Sequence, residues 1–293
     1  MNFSEYAKQI EALGRELSLE ALGGTRAVIE PLLPADMLDG VDVVRDIHYG
    51  EHDRHRLDVF TKAGESHLKP VLLFVHGGGF IAGDKHSEGS PFYSNIPAWA
   101  VKNGFAGVNM TYRLAPDHPW PAGSEDIHQA VAWIHANGHS HGLDANNIIL
   151  MGQSAGGAHT ACYLAHPDVR NGKPHGLKGA VLLSAVYDYV TMPTTEKELA
   201  YVGPDETLYH QRSSLEGMLE VDIPLLVTMA EFDPPAFHAQ TLKFLYAWHE
   251  KHGDLPWFVH MLGQNHLSVA LYLGLEGDLL GPQLKRFMHE HLS

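Results

Sequence analysis

The sequence predicts an α/β protein whose core is a mostly parallel β-sheet flanked by helices. Short apolar runs of strand length recur along the chain, and segments of helical length separate several of them. Parallel neighbours need crossover connections, and residues 91–103 and 126–137 supply two predicted crossover helices. The predicted strands are residues 71–75, 104–110, 147–151, 179–184, 224–229 and 257–262.

The segments before this alternation complete the predicted architecture. Residues 41–48 and 56–60 have the pattern of paired antiparallel strands, which we expect at the edge of the sheet. Residues 3–29 carry apolar positions at helical spacing, and a Pro-Leu-Leu-Pro run at 31–34 interrupts the pattern, so two helical pieces are predicted. A length of 293 residues suits one large α/β domain, and we predict a single domain over residues 1–293.

The connection formed by residues 186–222 is too long for a plain turn. Loops beyond about 15 residues are usually functional or carry structure of their own. The tyrosines and methionines of this connection suit a partly apolar cap over a substrate, and they suit an ordinary core equally well. Residues 186–222 are therefore a candidate cap segment.

Charge and composition argue against several classes of partner. The formal net charge is −15, so nucleic acid and anionic membranes would be repelled, and we predict neither as a partner. The 22 histidines would offset this charge as the pH falls through about 6.5. No run reaches the about 20 apolar residues that cross a bilayer, and charged residues interrupt residues 1–19, so a cytoplasmic location is predicted.

The strongest functional signal is the segment Gly152-Gln153-Ser154-Ala155-Gly156. It follows the apolar run 147–151 and precedes a stretch of small residues, which predicts a strand, a sharp turn and a helix. A serine at the apex of such a turn has a strained backbone and an accessible hydroxyl, and the flanking glycines leave room for the close approach of strand and helix. We predict Ser154 as a nucleophile.

A second motif follows the predicted strand 71–75. The sequence His76-Gly77-Gly78-Gly79-Phe80 places consecutive glycines at a strand end, where their backbone N–H groups are unobstructed. Attack on an ester carbonyl creates an oxyanion, and removing one backbone or side-chain donor from such a site typically costs about 3 kcal/mol of barrier. We predict Gly77, Gly78 and Ala155, the residue after the nucleophile, as the oxyanion-hole donors.

With these motifs the chain resembles the α/β-hydrolase fold, and within it the hormone-sensitive-lipase-like esterases, which are related to carbohydrate esterases and arylformamidases. The resemblance implies an eight-stranded, mostly parallel sheet with a small cap, and a serine, acid and histidine triad in that order. In these families an amino-terminal helical segment helps to cover the active site, so residues 1–35 are a second candidate cap segment. Many lipase-like members carry an acidic residue before the nucleophile, whereas Gln153 stands here, as in the formamidase and carbohydrate-esterase relatives. The resembling residues are 76–80, 112–116, 118–121, Asp126 and 152–157.

The acid and the base are predicted from their positions after later strands. Asp233 follows the strand 224–229 and precedes two prolines, which resembles the Asp-Pro pattern of these families, and we prefer it to the rival Glu231. His266 follows the terminal strand 257–262 and is the predicted base. His260, His238, His249 and His252 lie within the strand or in or near the preceding helix and are poorly placed.

Two other reactive features are assigned structural roles. Cys162 is the only cysteine, so no intrachain disulfide forms, and its apolar helix favours an inert buried thiol over a second nucleophile. His135, His139 and His141 resemble a metal cluster, but Gly138 and Gly142 loosen the segment, and zinc sites need fixed ligands. No metal or cofactor is predicted.

These expectations combine into a serine carboxylic-ester hydrolase that acts on short-chain acyl esters through an acyl-enzyme. The substrate preference follows from the resemblance and from a small cap, and the predicted partner is a small-molecule ester. An arylformamidase or other amide hydrolase is the nearest alternative, and a non-catalytic binding protein on the same fold is the other. The edge strand and the amino-terminal helices could support a homodimer.

Overall fold

The fold is built around one eight-stranded β-sheet. The computed structural model describes residues 1–170 and 176–292. The strand order of the sheet is β1-β2-β4-β3-β5-β6-β7-β8. The first two strands pair antiparallel, β2 also pairs antiparallel with β4, and all later pairs are parallel, as predicted. The strands are β1 Val41–His48, β2 Arg56–Lys62, β3 Lys69–Val75, β4 Ala106–Met110, β5 Leu143–Gln153, β6 Leu177–Leu183, β7 Leu225–Phe232 and β8 Trp257–Asn265.

Helices cover both faces of the sheet, so its central strands are buried on both sides. In β3 the alternation of side chains sends Val71, Leu73 and Val75 into one core and Leu72 and Phe74 into the other. Helices α4, α5, α8 and α9 contribute to the first core, and α1, α2, α3, α10 and α11 to the second. These helices are α1 Phe3–Ala12, α2 Leu19–Ile29, α3 Asn95–Lys102, α4 Ala122–Asn137, α5 Ala155–Ala165, α8 Leu215–Met218, α9 Pro235–His252, α10 Ser268–Leu271 and α11 Leu280–His291.

The amino-terminal segment forms two helices, but the break between them lies earlier than the proline run. Gly14, at φ +76°, follows α1, and the Ser18 side chain caps α2 by accepting from the N–H of Ala21. Pro31 instead lies in a short 3₁₀ turn, Glu30–Leu32, that continues from α2. Residues 13–18 therefore form the connecting loop.

Residues 186–222 contain three short α-helices and a 3₁₀ turn, Glu206–Leu208. Helix α6 covers Glu196–Val202, α7 covers Tyr209–Arg212, and α8 closes the segment. The buried Asp188 anchors it to α9 through Lys243, whose ammonium donates to the carboxylate at 2.5 Å. Side chains from this segment join Phe80 and residues of α5 in a third apolar cluster.

Among the described residues, no helix is both long enough and apolar enough to span a bilayer. The 18 residues of α9 include Lys243, His249 and Lys251.

Candidate active site

The turn between β5 and α5 holds Ser154 in an unusual backbone conformation. Its φ is +55° and its ψ is −120°, a region that L-residues rarely adopt. A Cβ on Gly152 would lie 2.3 Å from the carbonyl oxygen of Gly156, and one on Gly156 would lie 2.2 Å from that of Val75. Only glycine fits at these two positions, so strand and helix can approach closely while Ser154 remains 8% exposed.

Ser154, His266 and Asp233 form a continuous hydrogen-bonded chain. His266 Nε2 lies 2.7 Å from Ser154 Oγ, and His266 Nδ1 lies 2.6 Å from Asp233 Oδ1. All three residues are buried, and the ring of Phe237 packs 4.2 Å from that of His266. A carboxylate at Nδ1 selects the tautomer in which Nδ1 carries the proton, which leaves Nε2 free to accept the serine proton.

The rival carboxylate Glu231 does not reach this chain. Its Oε2 accepts from the backbone N–H of Gly263 on the adjacent strand at 2.7 Å. The pairing of β7 with β8 becomes irregular between Ala230 and Phe232, and Asp233 lies just beyond this irregularity. Of the two candidates, Asp233 is the carboxylate that contacts the histidine.

The second oxygen of Asp233 has two donors that sequence reasoning missed. Ser184 Oγ donates to Oδ2 at 2.6 Å, and the N–H of Ala230 donates to the same oxygen at 2.8 Å. Ser184 follows β6 at the carboxyl edge of the sheet, and that position was the available signal. The buried carboxylate thus has three hydrogen-bond donors.

The glycine loop after β3 passes close to the serine. A Cβ on Gly77 would lie 3.1 Å from Ser154 Cβ, and one on Gly78, at φ +144°, would lie 1.9 Å from the carbonyl oxygen of Ala82. Ala155 is the first residue of α5, so its N–H lacks an acceptor within the helix. The loop and the helix start therefore bring Gly77 and Ala155 next to Ser154, and Gly78 follows in the same loop.

His76 supports this loop from the core. Its Nδ1–H donates to the Gly77 carbonyl at 2.7 Å, and its ring stacks on Tyr112, whose hydroxyl donates to the His76 carbonyl at 2.9 Å. Complete burial lowers the pKa of His76 to about 4, so the ring is neutral near pH 7. These contacts give His76 a supporting role in the glycine loop.

Charged side chains beneath the loop attach it to the edge of the sheet, and the sequence patterns did not single them out. Arg54 donates to the carbonyl of Tyr112 at 2.7 Å and to that of Gly83 at 2.8 Å. Lys85, only 3% exposed, contacts the buried Asp58 on β2 at 2.8 Å. The loop is therefore held at Gly77 by His76, at Gly83 by Arg54 and at Lys85 by Asp58.

Asp126, which belongs to the resembling set, holds the chain after β4. It accepts from the backbone N–H of Arg113 at 2.7 Å and from its guanidinium at 2.8 Å, and it lies 3.0 Å from His55 Nε2. Burial is the main cause that lowers the pKa of His55. This network is structural and does not include Ser154.

Both candidate cap segments contribute to the surroundings of the site. The amino-terminal loop lines a cleft beside His266 with Arg15 and Leu17, and Arg15 Nη1 approaches the carbonyl oxygen of Asp233 at 3.4 Å. From the other side, Tyr201 of α6 stacks on Phe80 with centroids 4.2 Å apart and planes 2° apart. Residues of the two segments thus lie near the proposed base and near α5.

The other reactive candidates lie outside this site. Cys162 is buried in α5, and burial raises the pKa of its thiol to about 12. His135 lies in the last turn of α4, whereas His139 and His141 lie in a 3₁₀ turn, Gly138–His141. Across residues 1–170 and 176–292, no cluster of three or more His, Cys, Asp or Glu side chains is arranged to hold a metal ion.

Comparison of the sequence with protein families shows that its central part is similar to esterases. The family model BD-FAE matches residues 57–185, which is less than half of the chain. Esterase LipC of Mycobacterium tuberculosis is 35% identical over 114 residues, which cover 39% of this chain and 27% of that protein. Esterase LipI of the same organism is 40% identical over 89 residues, or 30% of this chain and 26% of that protein. The chain thus spans about a quarter of the length of these relatives.

Solved structures of esterases share the complete fold. Esterase B of Lactobacillus rhamnosis aligns with a TM-score of 0.75 at 15% identity and covers 98% of this chain and 95% of its own. A thermostable esterase from Pseudomonas putida aligns with a TM-score of 0.69 at 21% identity, with coverage of 99% and 97%. The chain therefore has the predicted α/β-hydrolase fold, and its central segment is similar in sequence to esterases.

Proposed function

We propose that the protein is a serine carboxylic-ester hydrolase. The observation that carries this proposal is the chain of two short hydrogen bonds from Ser154 through His266 to Asp233, with the serine on a strained turn. A serine hydroxyl is a weak nucleophile until a neutral imidazole within hydrogen-bond reach takes its proton. Sequence similarity of the central segment to esterases gives independent support.

In the proposed mechanism, Ser154 Oγ attacks the ester carbonyl carbon while His266 Nε2 takes its proton. The tetrahedral intermediate places a negative charge on the former carbonyl oxygen, and the N–H groups of Gly77, Gly78 and Ala155 stabilise it. His266 then returns the proton to the departing alkoxide, which leaves as an alcohol. A water molecule releases the carboxylic acid from Ser154 by the same proton transfers.

Asp233 orients the imidazole and stabilises the imidazolium that forms during each transfer. A buried carboxylate in contact with Nδ1 favours the charged ring without taking its proton. Because the base acts only when it is neutral, we expect activity to be lost in acid and to reach a plateau at mildly alkaline pH.

We infer that the preferred substrates are small-molecule esters with short acyl chains. Phe80, Tyr189, Tyr201 and Met192 form an apolar cluster with residues of α5, and in this proposal the cluster limits the length of the acyl chain. In this proposal residues 186–222 and 1–35 act as the cap of a single domain, with Leu17 packed against the same cluster. A homodimer and a cytoplasmic location stay predictions, to be tested by light scattering and by cell fractionation.

An arylformamidase is the second candidate because Gln153, rather than an acidic residue, precedes the proposed nucleophile. The same groups can cleave a formamide, since attack, oxyanion and proton transfer are unchanged and the leaving group is an amine. Rates on p-nitrophenyl acetate and on an N-formyl arylamine separate the two activities. A higher kcat/KM for the formamide would replace the ester proposal by this one.

The test of the proposed function is labelling with a fluorophosphonate together with turnover of p-nitrophenyl acetate, butyrate and octanoate. Ser154→Ala should abolish labelling and lower kcat by a factor on the order of 10⁴ to 10⁶. Ser140→Ala is the control, because this exposed hydroxyl only donates to the Asn137 carbonyl. Labelling at another residue, or no turnover of any ester or formamide by the wild type, would contradict the proposal and favour a binding protein.

A further inference from the structure

Ser184 has a backbone conformation that a serine does not prefer. It is fully buried directly after β6, and its φ is +47°. Glycine is the usual residue in this left-handed region, because a Cβ crowds the backbone there. A buried serine persists in this conformation only when surrounding contacts compensate for the backbone strain. Such strain often marks a residue whose side chain has a function.

The contact made by this side chain is with the carboxylate of Asp233. Ser184 Oγ donates to Oδ2 at 2.6 Å, while Oδ1 lies 2.6 Å from His266 Nδ1. Asp233 is completely buried, so its charge depends on protein donors rather than on water. Hydrogen bonds to an ionised group are shorter and stronger than neutral ones, and this distance is at the short end of the range.

We propose that Ser184 is a positioning residue of this site, whose hydroxyl holds the Asp233 carboxylate in the orientation that receives the Nδ1–H of His266. The inference rests on the proposed function. Ser184 does not contact Ser154 or a reacting atom; it acts through Asp233. Without the hydroxyl, Oδ2 retains only the N–H of Ala230, and the carboxylate can rotate away from the imidazole.

The other charged groups near the acid and the base are held by contacts that do not involve this hydroxyl. Arg15 of the amino-terminal loop donates to the main-chain carbonyl of Asp233, and Glu231 of β7 accepts from the N–H of Gly263. Substitution of Ser184 removes no partner of either contact, so we expect both to stay in place. A change in the behaviour of His266 in such a variant therefore reports on the hydroxyl.

The first measurement is the steady-state kinetics of Ser184→Ala on p-nitrophenyl acetate, normalised to active sites titrated with a fluorophosphonate. A lost charge-assisted hydrogen bond predicts a fall in kcat of about 10- to 100-fold, with KM within about twofold of wild type. The midpoint of the acidic limb of kcat/KM should move to lower pH, because an imidazole whose carboxylate partner has rotated away loses stabilisation of its charged form.

Two further variants separate the hydroxyl from the backbone. Ser184→Gly removes the hydroxyl but suits the left-handed conformation, so it should fold well and lose as much kcat as Ser184→Ala. Thr228 lies on β7 beside Ser184, and its buried hydroxyl has no hydrogen-bond partner among the described residues. Thr228→Val removes that hydroxyl and should keep kcat within about twofold of wild type. Wild-type kcat in Ser184→Gly would overturn the inference.

A spectroscopic measurement tests the inference without turnover. The Nδ1–H proton of His266 should give a low-field NMR resonance in the wild type, and this resonance should broaden or move upfield in Ser184→Gly. An unchanged resonance would overturn the positioning role. Because this measurement needs no substrate, absence of esterase activity in the wild type would contradict the proposed function and leave the role of Ser184 to be decided by the resonance.

Discussion

Gln153 and His266 are joined by a hydrogen bond that runs from the Gln153 side-chain amide to the carbonyl oxygen of His266 at 2.8 Å. The residue before the proposed nucleophile thus fixes the main chain of the proposed base. Gln153 is buried, and its Oε1 lies 2.2 Å from where a Cβ on Gly77 would be. One side chain therefore links the serine turn, the histidine loop and the glycine loop.

Gln153→Glu should impair the protein most at alkaline pH. An ionised carboxylate would face the His266 carbonyl, which is also an acceptor, in a buried position, and a buried unpaired polar group costs about 1–3 kcal/mol or more. Relative to the wild type at the same pH, we expect kcat to fall at least tenfold at pH 8. The difference from the wild type should become smaller near pH 6, where the carboxyl gains a proton and can donate. Gln153→Met, which has no charge, is the control, and its loss should not depend on pH in this way.

Gly78→Ala should remove most activity because its Cβ would meet the backbone of Ala82 and displace the loop that carries the proposed oxyanion donors. We expect a decrease in kcat of about 100-fold or more, the effect typical of a lost donor. Gly89→Ala is a matched control, since Gly89 has a φ of +74° and open space around its Cβ position. That variant should lose stability of roughly 1–2 kcal/mol but keep its kcat. Equal kcat losses in the two variants would contradict the assignment.

Lys85→Met should destabilise the fold. The ammonium of Lys85 contacts Asp58, a carboxylate with no solvent exposure, and removal of one partner of a buried ion pair typically costs about 3–5 kcal/mol. Arg45 still contacts the other oxygen of Asp58, so we expect the lower end of this range. Urea unfolding measures the change in the free energy of unfolding. Arg286→Met is the control: Arg286 forms an exposed ion pair with Glu290, so this variant should change stability by less than about 1 kcal/mol. A similar small change for Lys85→Met would be inconsistent with this role.

The buried histidines predict a loss of stability in mild acid. Burial lowers the pKa of His159 to about 3 and that of His76 to about 4, so both stay neutral in the folded protein while the unfolded chain takes up protons below about pH 6.5. The free energy of unfolding should therefore fall as the pH drops from about 6.5 to 4, by roughly 1.4 kcal/mol per pH unit for each group.

His159→Phe isolates one of these contributions. The variant should show a slope of unfolding free energy against pH that is smaller by about 1.4 kcal/mol per unit between pH 6 and 4. His260→Phe replaces an exposed ring on β8 and is the control, with a slope equal to that of the wild type. Equal slopes in all three proteins would show that burial of His159 does not contribute to acid sensitivity.

The fold was predictable because its main signals are local. Apolar runs at strand length, the glycines around Ser154 and the position of His266 after the last strand are all visible in the linear sequence. The predicted α/β-hydrolase fold is confirmed by the parallel sheet and by the solved esterases that share it. The catalytic roles of Ser154, Asp233 and His266 stay predictions until they are tested.

The supporting contacts were not predictable, because each depends on the register of elements that are distant in sequence. Ser184 and Asp233 are 49 residues apart, and Gln153 and His266 are 113 apart. Neither pair has a sequence pattern of its own. The amino-terminal break was misplaced for a simpler reason: Gly14 and Ser18 give a weaker visible signal than two prolines, although they determine where α1 ends and α2 begins.

At Ser154 the stability of the fold and the reactivity of the side chain make opposite demands on the residue type. A φ of +55° is unfavourable for a side chain with a Cβ, so the folded state is less stable than a glycine at this position would make it. Ser154→Gly is therefore expected to melt at a higher temperature than the wild type while losing the reactive oxygen. A selection for heat resistance alone would discard this serine, whereas a selection for turnover must keep it and accept a weaker fold.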